Sequence, residues 1–301
     1  MKIAILSKGA ANYSTRRLKE EALARGHEVR VINYAKCYMT IEKGNPVVYY
    51  KGESLHDFDA IIPRIAQSYT KYGCAVVRQF EMRDVYTTAK SIAIDRSRDK
   101  LRAYQLLAKA GVGVPKTVFA RETADLTDVI EKAGGAPLIV KVAKGTHGNG
   151  VVLAETGKAA QAVMQAFYVE GVTFLVQEFV KESAGQDVRA IVVGSQVVAS
   201  FKRQSLTDDF RSNTHQGGVG KPVKLTTEEE RTAIKAAKAM GLPVCAVDMM
   251  RSERGPLVLE VNSSGSIKTP ELLTKRNLAG KIIEYIEQNA KQRNRKDRVG
   301  A

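Results

Sequence analysis

Two apolar segments near the end of the chain carry acidic residues in their interiors. VCAVDMM and PLVLEVN are joined by the turn SERG, which predicts a hairpin, and they contain Asp248, Glu260 and Asn262. Glu260 and Asn262 are two positions apart on one strand, so both side chains leave the same face, and Asp248 reaches that face if the hairpin pairs regularly. Burying carboxylates in apolar strands is costly unless a cation or a donor satisfies them. The fold must therefore supply such a partner here.

Two kinds of partner satisfy these oxygens. Three oxygen ligands without cysteine or histidine suit a hard cation such as Mg²⁺ or Mn²⁺, particularly where substrate phosphates complete its coordination. The alternative is a structural salt bridge with Arg251 or Arg254 in the same hairpin. The residues alone leave both interpretations open.

A glycine-rich loop separates two apolar strands in the middle of the chain. The stretch KVAKGTHGNGVVLAET, residues 141–156, has three glycines within six positions. Glycine lets backbone N–H groups approach an anion, so the loop is a candidate flap over phosphates, but it can also be an ordinary turn. It is not a Walker P-loop, because it lacks the G-K-[ST] ending and the strand-to-helix context. Lys141 lies either at a solvated sheet edge or beside a bound anion, and Lys100 is a second candidate for anion binding.

Further charged pairs lie between this loop and the hairpin. QDVRAIVV places Asp187 and Arg189 on one face of a strand, and RSN supplies Arg211 and Asn213. Arginine at such places suits a bidentate grip on phosphate or carboxylate. Each pattern is weak singly. Together, the order lysine, lysine with glycine flap, acidic strand end, D-x-R, R-x-N, D and E-x-N is a constellation that solvated charges seldom reproduce.

Strands and helices alternate along most of the chain. KIAILS, STRRLKEEALARGHEV and RVIN read as strand, helix and strand, and AIIPRI with GCAVVRQFEM continues the pattern, which predicts a small N-terminal α/β lobe. The first strand lacks a following G-x-G-x-x-G, so no dinucleotide site is expected there. A mixed sheet with helices and a strand-rich final lobe follow. The predicted fold class is α/β, with α+β lobes.

Composition limits the class of protein. Three scattered cysteines, no signal-like start and no apolar run long enough for a membrane span predict a cytoplasmic protein without a membrane partner. The formal net charge is +15, and the tail KQRNRKDR carries only part of that excess. An anionic ligand or partner is therefore favoured, although many basic proteins are merely soluble ones.

The order of these motifs resembles the ATP-grasp superfamily, in which ATP lies between two α+β lobes and two metal ions bridge its phosphates. Within it, the chain is similar to the RimK-type ribosomal protein glutamate ligases. The matching stretches are YYKGESLHDFDAIIPRI, YGCAVVRQFEM, RDKLRAYQLLAKAG, GAPLIVKV, GVVLAET, VQEFVKE, DFRSN and VDMMRSERGPLVLEVNSS. The resemblance implies an ATP-grasp fold with an N-terminal Rossmann-like (pre-ATP-grasp) α/β lobe at residues 1–95. A central lobe with the glycine flap (96–180), a C-terminal lobe with the metal site (181–290) and a basic tail (291–301) follow.

The resemblance also implies roles for individual residues, position by position. The ATP-binding set that it implies is Lys100, Lys141, Gly145, Gly148, Gly150, Gln177, Glu178, Phe179, Val180, Asp187, Arg189, Arg211 and Asn213. Within that set, the lysines contact phosphates, the glycines cover them, the strand end 177–180 meets the adenine edge, and Glu178 and Asp187 bind nucleoside groups. The catalytic set, which steadies the phosphate or the activated carboxylate, is Arg203, Arg211 and Asn213. Two ions, Mg²⁺ or Mn²⁺, are implied at Asp248, Glu260 and Asn262.

The implied activity is an ATP-dependent ligation of an acid to an amine. L-Glutamate is added to an acidic peptide or to the C-terminus of a ribosomal protein through an acyl phosphate, with release of ADP and phosphate. Metals, arginines and lysines offset the charge that makes two anions repel. No side-chain nucleophile is needed, in agreement with the lack of a convincing Ser-His-Asp or Cys-His set. A contact with the ribosome and a homotetramer are implied as well.

Three segments depart from the family pattern, and they change the loops on the substrate side. After Glu260-x-Asn262 the family continues S-P-G-L-E-G-I-E, whereas this chain reads SSGSIKTPEL: the proline is missing, an acidic position is gone, and Lys268 appears. The flap and the segment 89–96 also differ. A second hypothesis is therefore the same chemistry on a different amino acid or small acceptor. A third is a non-catalytic ribosome- or RNA-binding protein, which the lack of an aromatic stacking pattern disfavours.

Overall fold

The N-terminal region folds around a parallel sheet. The computed structural model of the chain describes residues 1–120, 125–143, 150–183, 185–205 and 219–296. The sheet runs in the order β2-β1-β6-β7, with β1 Lys2–Ser7, β2 Glu28–Ile32, β6 Ala60–Arg64 and β7 Tyr86–Thr87. The run KIAILS is apolar throughout because both faces are covered: Ile3 and Ile5 pack on one side, and Ala4 and Leu6 on the other. Helices α1 Tyr13–Ala24 and α2 Thr70–Glu81 belong to this lobe.

A small antiparallel sheet, which the sequence patterns did not predict, also lies in this lobe. It consists of β3 Cys37–Thr40, β4 Val47–Tyr50 and β5 Glu53–Ser54. The strands are short and only partly apolar, so period-two alternation gives little signal.

The central region follows two connecting helices, α3 Ser91–Arg98 and α4 Lys100–Lys109. Asp99 caps α4 by accepting a hydrogen bond from the Arg102 backbone N–H at 3.0 Å, as expected for an N-cap carboxylate. The antiparallel sheet has the order β10-β9-β11-β8, with β8 Thr117–Ala120, β9 Leu138–Val142, β10 Val151–Ala154 and β11 Phe174–Glu178. Helices α5 Leu126–Ala133 and α6 Gly157–Val169 pack their apolar sides against it.

The C-terminal region is built on a larger antiparallel sheet. Its order is β14-β13-β12-β15-β16, with β12 Gln186–Val193, β13 Gln196–Gln204, β14 Val219–Pro222, β15 Val244–Ser252 and β16 Gly255–Asn262. The accompanying helices are α7 Thr227–Met240, α8 Lys268–Thr274 and α9 Leu278–Lys296. Helix α7 begins with a capping box between Thr226 and Glu229.

The two faces of the C-terminal sheet have different partners. One face, which includes Val188 and Val247, packs on α7 and the linking helices. The opposite face is apolar over one half, where Ile191 and Ala246 meet the N-terminal sheet and α9. Its other half carries charged side chains. This division leaves a polar surface beside the contact between the lobes, and the candidate site lies there.

No helix among the described residues is long and apolar enough to cross a membrane.

Candidate active site on the C-terminal sheet

The charged face is set by strand register. Arg189 on β12 is the direct partner of Asp248 on β15, and Asp248 is in turn the partner of Glu260 on β16. Cross-strand partners in an antiparallel sheet project from the same face. The hairpin therefore brings Asp248, Glu260 and Asn262 together as the sequence predicted, with a bulge just after Asp248.

Asp248 lies at the centre of this face and is almost fully buried, with 1% exposure. Arg189 Nε donates to Asp248 Oδ1 at 2.5 Å, and Arg203 Nη2 donates to Oδ2 at 2.8 Å. Burial alone would raise the pKa of this carboxyl, but the two arginines outweigh it and hold the pKa well below its usual range. Asp248 is therefore a carboxylate at neutral pH.

The alternative salt bridge within the hairpin is wrong. Arg251 Nε donates to Glu229 on α7 at 2.6 Å, and Arg254 pairs with Glu178 at the end of β11. The arginines that satisfy Asp248 come instead from β12 and β13.

Glu260 and Asn262 form the open side of the site. The Glu260 side chain is 53% exposed, and its Oε1 lies 4.0 Å from Arg189 Nη2. Asn262 Nδ2 donates to the same oxygen at 3.0 Å, so the Asn262 carbonyl oxygen is left to accept. Partial burial of the carboxyl group, and then the adjacent Asp248 charge, raise the pKa of Glu260. A cation placed here would relieve the repulsion between the two carboxylates.

Arg203 is a buried side chain that pairs with two carboxylates of this face. It is 3% exposed, and its Nε donates to Asp187 Oδ1 at 2.7 Å, while its Nη2 contacts both Asp187 and Asp248. The Asp187 carboxylate is thus engaged by an arginine in this structure. Its role toward a nucleoside, and the role of Arg203 toward an acyl phosphate, stay predictions.

Two lysines border the site from the central region. Lys100 Nζ donates to the Val142 carbonyl at 3.3 Å, and Lys141 Nζ donates to the Tyr104 hydroxyl at 3.2 Å. The Lys141 strand, β9, lies between β10 and β11, so the interpretation of Lys141 as a sheet-edge residue is wrong. Burial, and then the charge of Lys141, lower the pKa of Lys100, although Glu260 opposes the shift. The two ammonium groups therefore share one cationic neighbourhood.

Tyr104 is a site residue that sequence reasoning missed. Its hydroxyl donates to the Leu259 carbonyl at 2.9 Å, next to Glu260, and accepts from Lys141. It therefore ties the lysine of the central sheet to the acidic strand. A tyrosine in the middle of the amphipathic helix LRAYQLL looks like a core residue, and only the lobe contact shows otherwise.

The end of β11, which the family resemblance assigns to the adenine, has hydrogen bonds of its own. Gln177 is buried and its Nε2 donates to Thr117 Oγ1 at 2.7 Å. Glu178 Oε1 accepts from the Lys116 backbone N–H at 2.6 Å and from Arg254. Phe179 is partly buried and Val180 is buried.

The glycine flap is described only at its end. Gly150 has φ +71, and its carbonyl accepts from the Val142 N–H at 2.9 Å, which closes the β9–β10 hairpin. A Cβ at Gly150 would meet Val142 Cγ2 at 2.5 Å, so the position requires glycine. The predicted residues Gly145, Gly148, Arg211 and Asn213 lie outside the described residues.

The described donors fit a hard cation and a polyphosphate. Two carboxylates and an amide oxygen on one face match the preference of Mg²⁺ or Mn²⁺ for oxygen. No group of three or more His, Cys, Asp and Glu residues suited to a metal occurs in the part of the chain that the structure describes, so a protein-only cage is absent there. Substrate phosphates would supply the remaining oxygens of an ion bound at this face.

Comparison with known families decides the classification. A model described as the RimK-like ATP-grasp domain matches residues 97–286, and one described as the RimK PreATP-grasp domain matches residues 1–94. The chain belongs to the RimK family of ATP-grasp proteins. This membership confirms the resemblance found in the sequence and the predicted class of enzyme, an ATP-grasp ligase.

Relatives of this RimK-family chain extend over its whole length. It is 56% identical to a probable alpha-L-glutamate ligase of Hydrogenovibrio crunogenus, over 99% of each chain. It is 55% identical to a protein of the same name from Cellvibrio japonicus, over 97% of each chain. A solved structure of the ATP-grasp ligase PsnB with minimal precursor, Mg and ADP superimposes with a TM-score of 0.73 at 17% identity, covering 96% of this chain and 98% of that one. That likeness confirms the predicted ATP-grasp fold.

Proposed function

We propose that the chain uses ATP and two divalent ions, Mg²⁺ or Mn²⁺, to add L-glutamate to the C-terminal carboxyl group of a peptide or ribosomal protein. The observation that carries the proposal is the register of the C-terminal sheet. It sets the Asp248 and Glu260 carboxylates opposite one another, with Asn262 beside them, and lysines from the central lobe border the same space. Carboxylates on one side and ammonium groups on the other suit a metal-bound triphosphate.

The reaction that suits this arrangement proceeds in two steps. An acceptor carboxylate attacks the γ-phosphorus of ATP, which gives an acyl phosphate and ADP. The amine of glutamate then attacks the acyl carbon, phosphate leaves, and an amide forms while the amine loses a proton. Divalent ions, when bound, offset the charge on the phosphates. Both steps bring anions together, so fixed positive charge is the main contribution that the protein must make.

The described residues divide this work. Glu260 and Asn262 offer exposed oxygens to the ions, and Asp248 lies behind them, held ionised by Arg189 and Arg203. Lys100 and Lys141 contact phosphates in the proposal, with Tyr104 fixing the position of Lys141. The end of β11 meets the adenine.

Glutamate as the added amino acid is supported by the names of relatives above half identity. A peptide acceptor is supported more loosely, by the precursor bound to the PsnB structure. The net charge of +15 favours an acidic acceptor tail and an anionic donor. Contact with the ribosome, a homotetramer and a cytoplasmic location stay predictions.

Product mass tests the proposal. The full chain is incubated with ATP, Mg²⁺, L-glutamate and peptides that end in free or amidated carboxyl groups. We expect ADP release and a product ladder spaced by glutamyl residues on the free-acid peptides only. Products that carry another amino acid would favour the second hypothesis, which the altered segment SSGSIKT supports. ATP turnover without any adduct would contradict both.

A further inference from the structure

Three cationic side chains lie at the carboxyl edge of the parallel N-terminal sheet. Lys8 follows β1, and its Nζ stands 3.8 Å from the Tyr69 ring centroid. Arg64 ends β6 beside the end of β1, and Arg98 donates to the backbone carbonyl that follows Arg64. Among the described residues, no carboxylate oxygen lies within 4.0 Å of any of these three cationic groups. In open α/β sheets, ligands bind outside this edge of the strands.

The loop 263–267, which begins directly after Asn262, lies opposite these cationic side chains. Arg64 Nη1 donates to the Gly265 carbonyl at 2.9 Å. A Cβ at Gly265 would lie 2.8 Å from the Cβ of Ala246, which is the cross-strand partner of Asn262. The loop therefore lies against the sheet that carries the acidic site. It brings the Arg64 guanidinium next to the strand end that holds Asn262.

Two polar groups near this contact lack strong partners among the residues that the structure describes. Arg64 is mostly buried, its acceptor is a neutral carbonyl, and burial lowers its pKa. The Ser264 hydroxyl is buried and has no hydrogen-bond partner among the described residues. A guanidinium has five N–H donors, and a buried cation without a counter-charge is costly. A carboxylate is the group that best satisfies the Arg64 guanidinium.

We propose that the crevice between Arg64 and the loop 263–267 binds a carboxylate of the incoming amino acid. This inference rests on the proposed function, in which the glutamate amine attacks and its carboxylates are not consumed. The metal-binding oxygens of Glu260 and Asn262 take the nucleotide and the activated acid. The crevice adjoins this face but is separate from it, so a carboxylate held there places the amine beside the acyl group. Arg64 acts as a positioning and specificity residue.

Calorimetric binding of L-glutamate to the full chain, loaded with ADP and Mg²⁺, tests the inference directly. Loss of a charged hydrogen-bonding partner weakens binding by about ten- to hundredfold, and we expect this loss for Arg64→Gln. ADP affinity should stay unchanged. Arg276→Gln is the matched control, because Arg276 also donates to a backbone carbonyl, that of Val198 at 2.8 Å, but lies elsewhere. Equal glutamate affinity in wild type and Arg64→Gln, or no glutamate binding by the wild type, would overturn the inference.

Steady-state kinetics give a second readout. Arg64→Gln should raise the KM for glutamate and leave the KM for ATP and for the peptide unchanged, and added guanidinium should restore activity to Arg64→Ala. A rise confined to the peptide KM would assign the crevice to the acceptor and refute the proposal. If Arg64→Gln also loses ADP binding, Arg64→Lys decides: a raised glutamate KM with intact ADP binding supports the inference, and an unchanged one refutes it. Whether the wild type forms glutamyl products is judged separately from product mass, so failure of the proposed function is recognised independently.

The two carboxylates of glutamate are distinguished by blocked donors. Glutamine lacks the side-chain carboxylate, and glutamate α-amide lacks the other. The donor whose KM no longer responds to Arg64→Gln has lost the carboxylate that the crevice binds. A full response from both donors would contradict binding of a single carboxylate.

Discussion

Asp248 lies directly across the β15–β16 hairpin from Glu260, yet the two carboxylates have opposite surroundings. Asp248 is 1% exposed and accepts hydrogen bonds from two arginines. Glu260 is half open and has a single arginine atom at 4.0 Å. Asp248 is therefore held within the sheet, whereas Glu260 is the carboxylate that is exposed for the proposed metal ions. In the proposed function the reaction needs both carboxylates, but we expect the stability of the fold to depend chiefly on Asp248.

Neutralising these carboxylates should separate stability from activity. Asp248→Asn leaves Arg189 and Arg203 without their shared charge, and we expect a loss of about 3–5 kcal/mol in the free energy of unfolding. Glu260→Gln should cost less than about 1 kcal/mol, because the side chain is half exposed and its neutralisation relieves the repulsion from Asp248. Both should abolish ADP release. Urea unfolding and ADP assays measure the two effects, and equal destabilisation by both substitutions would contradict the assignment.

ATP binding should take up protons at alkaline pH. Burial and the charge of Lys141 lower the pKa of Lys100 in the folded chain from its ordinary 10.5. In the pH window between that lowered pKa and 10.5, the folded chain therefore binds fewer protons at Lys100 than the unfolded chain does. The contribution of Lys100 to the free energy of unfolding therefore rises with pH through that window and does not change with pH below it. A bound triphosphate favours the charged amine, so protons are taken up. Calorimetry in two buffers of different ionisation enthalpy measures the uptake, and Lys100→Arg should abolish it.

Gly150→Ala should weaken the hairpin that carries Lys141. Gly150 has φ +71, and a Cβ would meet Val142 Cγ2 at 2.5 Å, so we expect a loss of about 1–2 kcal/mol and a higher KM for ATP. Gly157→Ala is the control, since no atom lies within 4 Å of its Cβ position at the start of α6. Thermal unfolding and ATP titration compare the two. Equal losses of stability in the two variants would show that the β9–β10 hairpin does not require glycine at position 150.

The cysteines should be inert in the folded protein. Burial raises the pKa of Cys37 to about 12 and also raises the pKa values of Cys74 and Cys245. All three are buried free thiols. Iodoacetamide at pH 8 should leave the native mass unchanged and should add three labels after denaturation, because thiolate is the reactive form. Rapid labelling of the native chain, read by mass spectrometry, would contradict the burial.

Local patterns predicted the parts of the site that lie close together in the chain. Glu260 and Asn262 share a face because side chains alternate along a strand, and the short turn between the two segments predicted the partner Asp248. The small sheet β3–β5 and the role of Tyr104 gave no such signal. The strands of that sheet are too short to show alternation, and the role of Tyr104 depends on Leu259 and Lys141, which lie far from it in sequence.

The sequence by itself determined the alternation of strands and helices, the acidic hairpin and the family resemblance, because these depend on spacings of a few residues. Only the tertiary structure decided that Asp248 is held by Arg189 and Arg203, which lie 59 and 45 residues away from it. It also decided that Arg64 meets the loop beyond Asn262, across 201 residues. Register between distant strands and docking of the lobes select these pairs, since every buried charge must find its partner within the packing that the whole chain adopts.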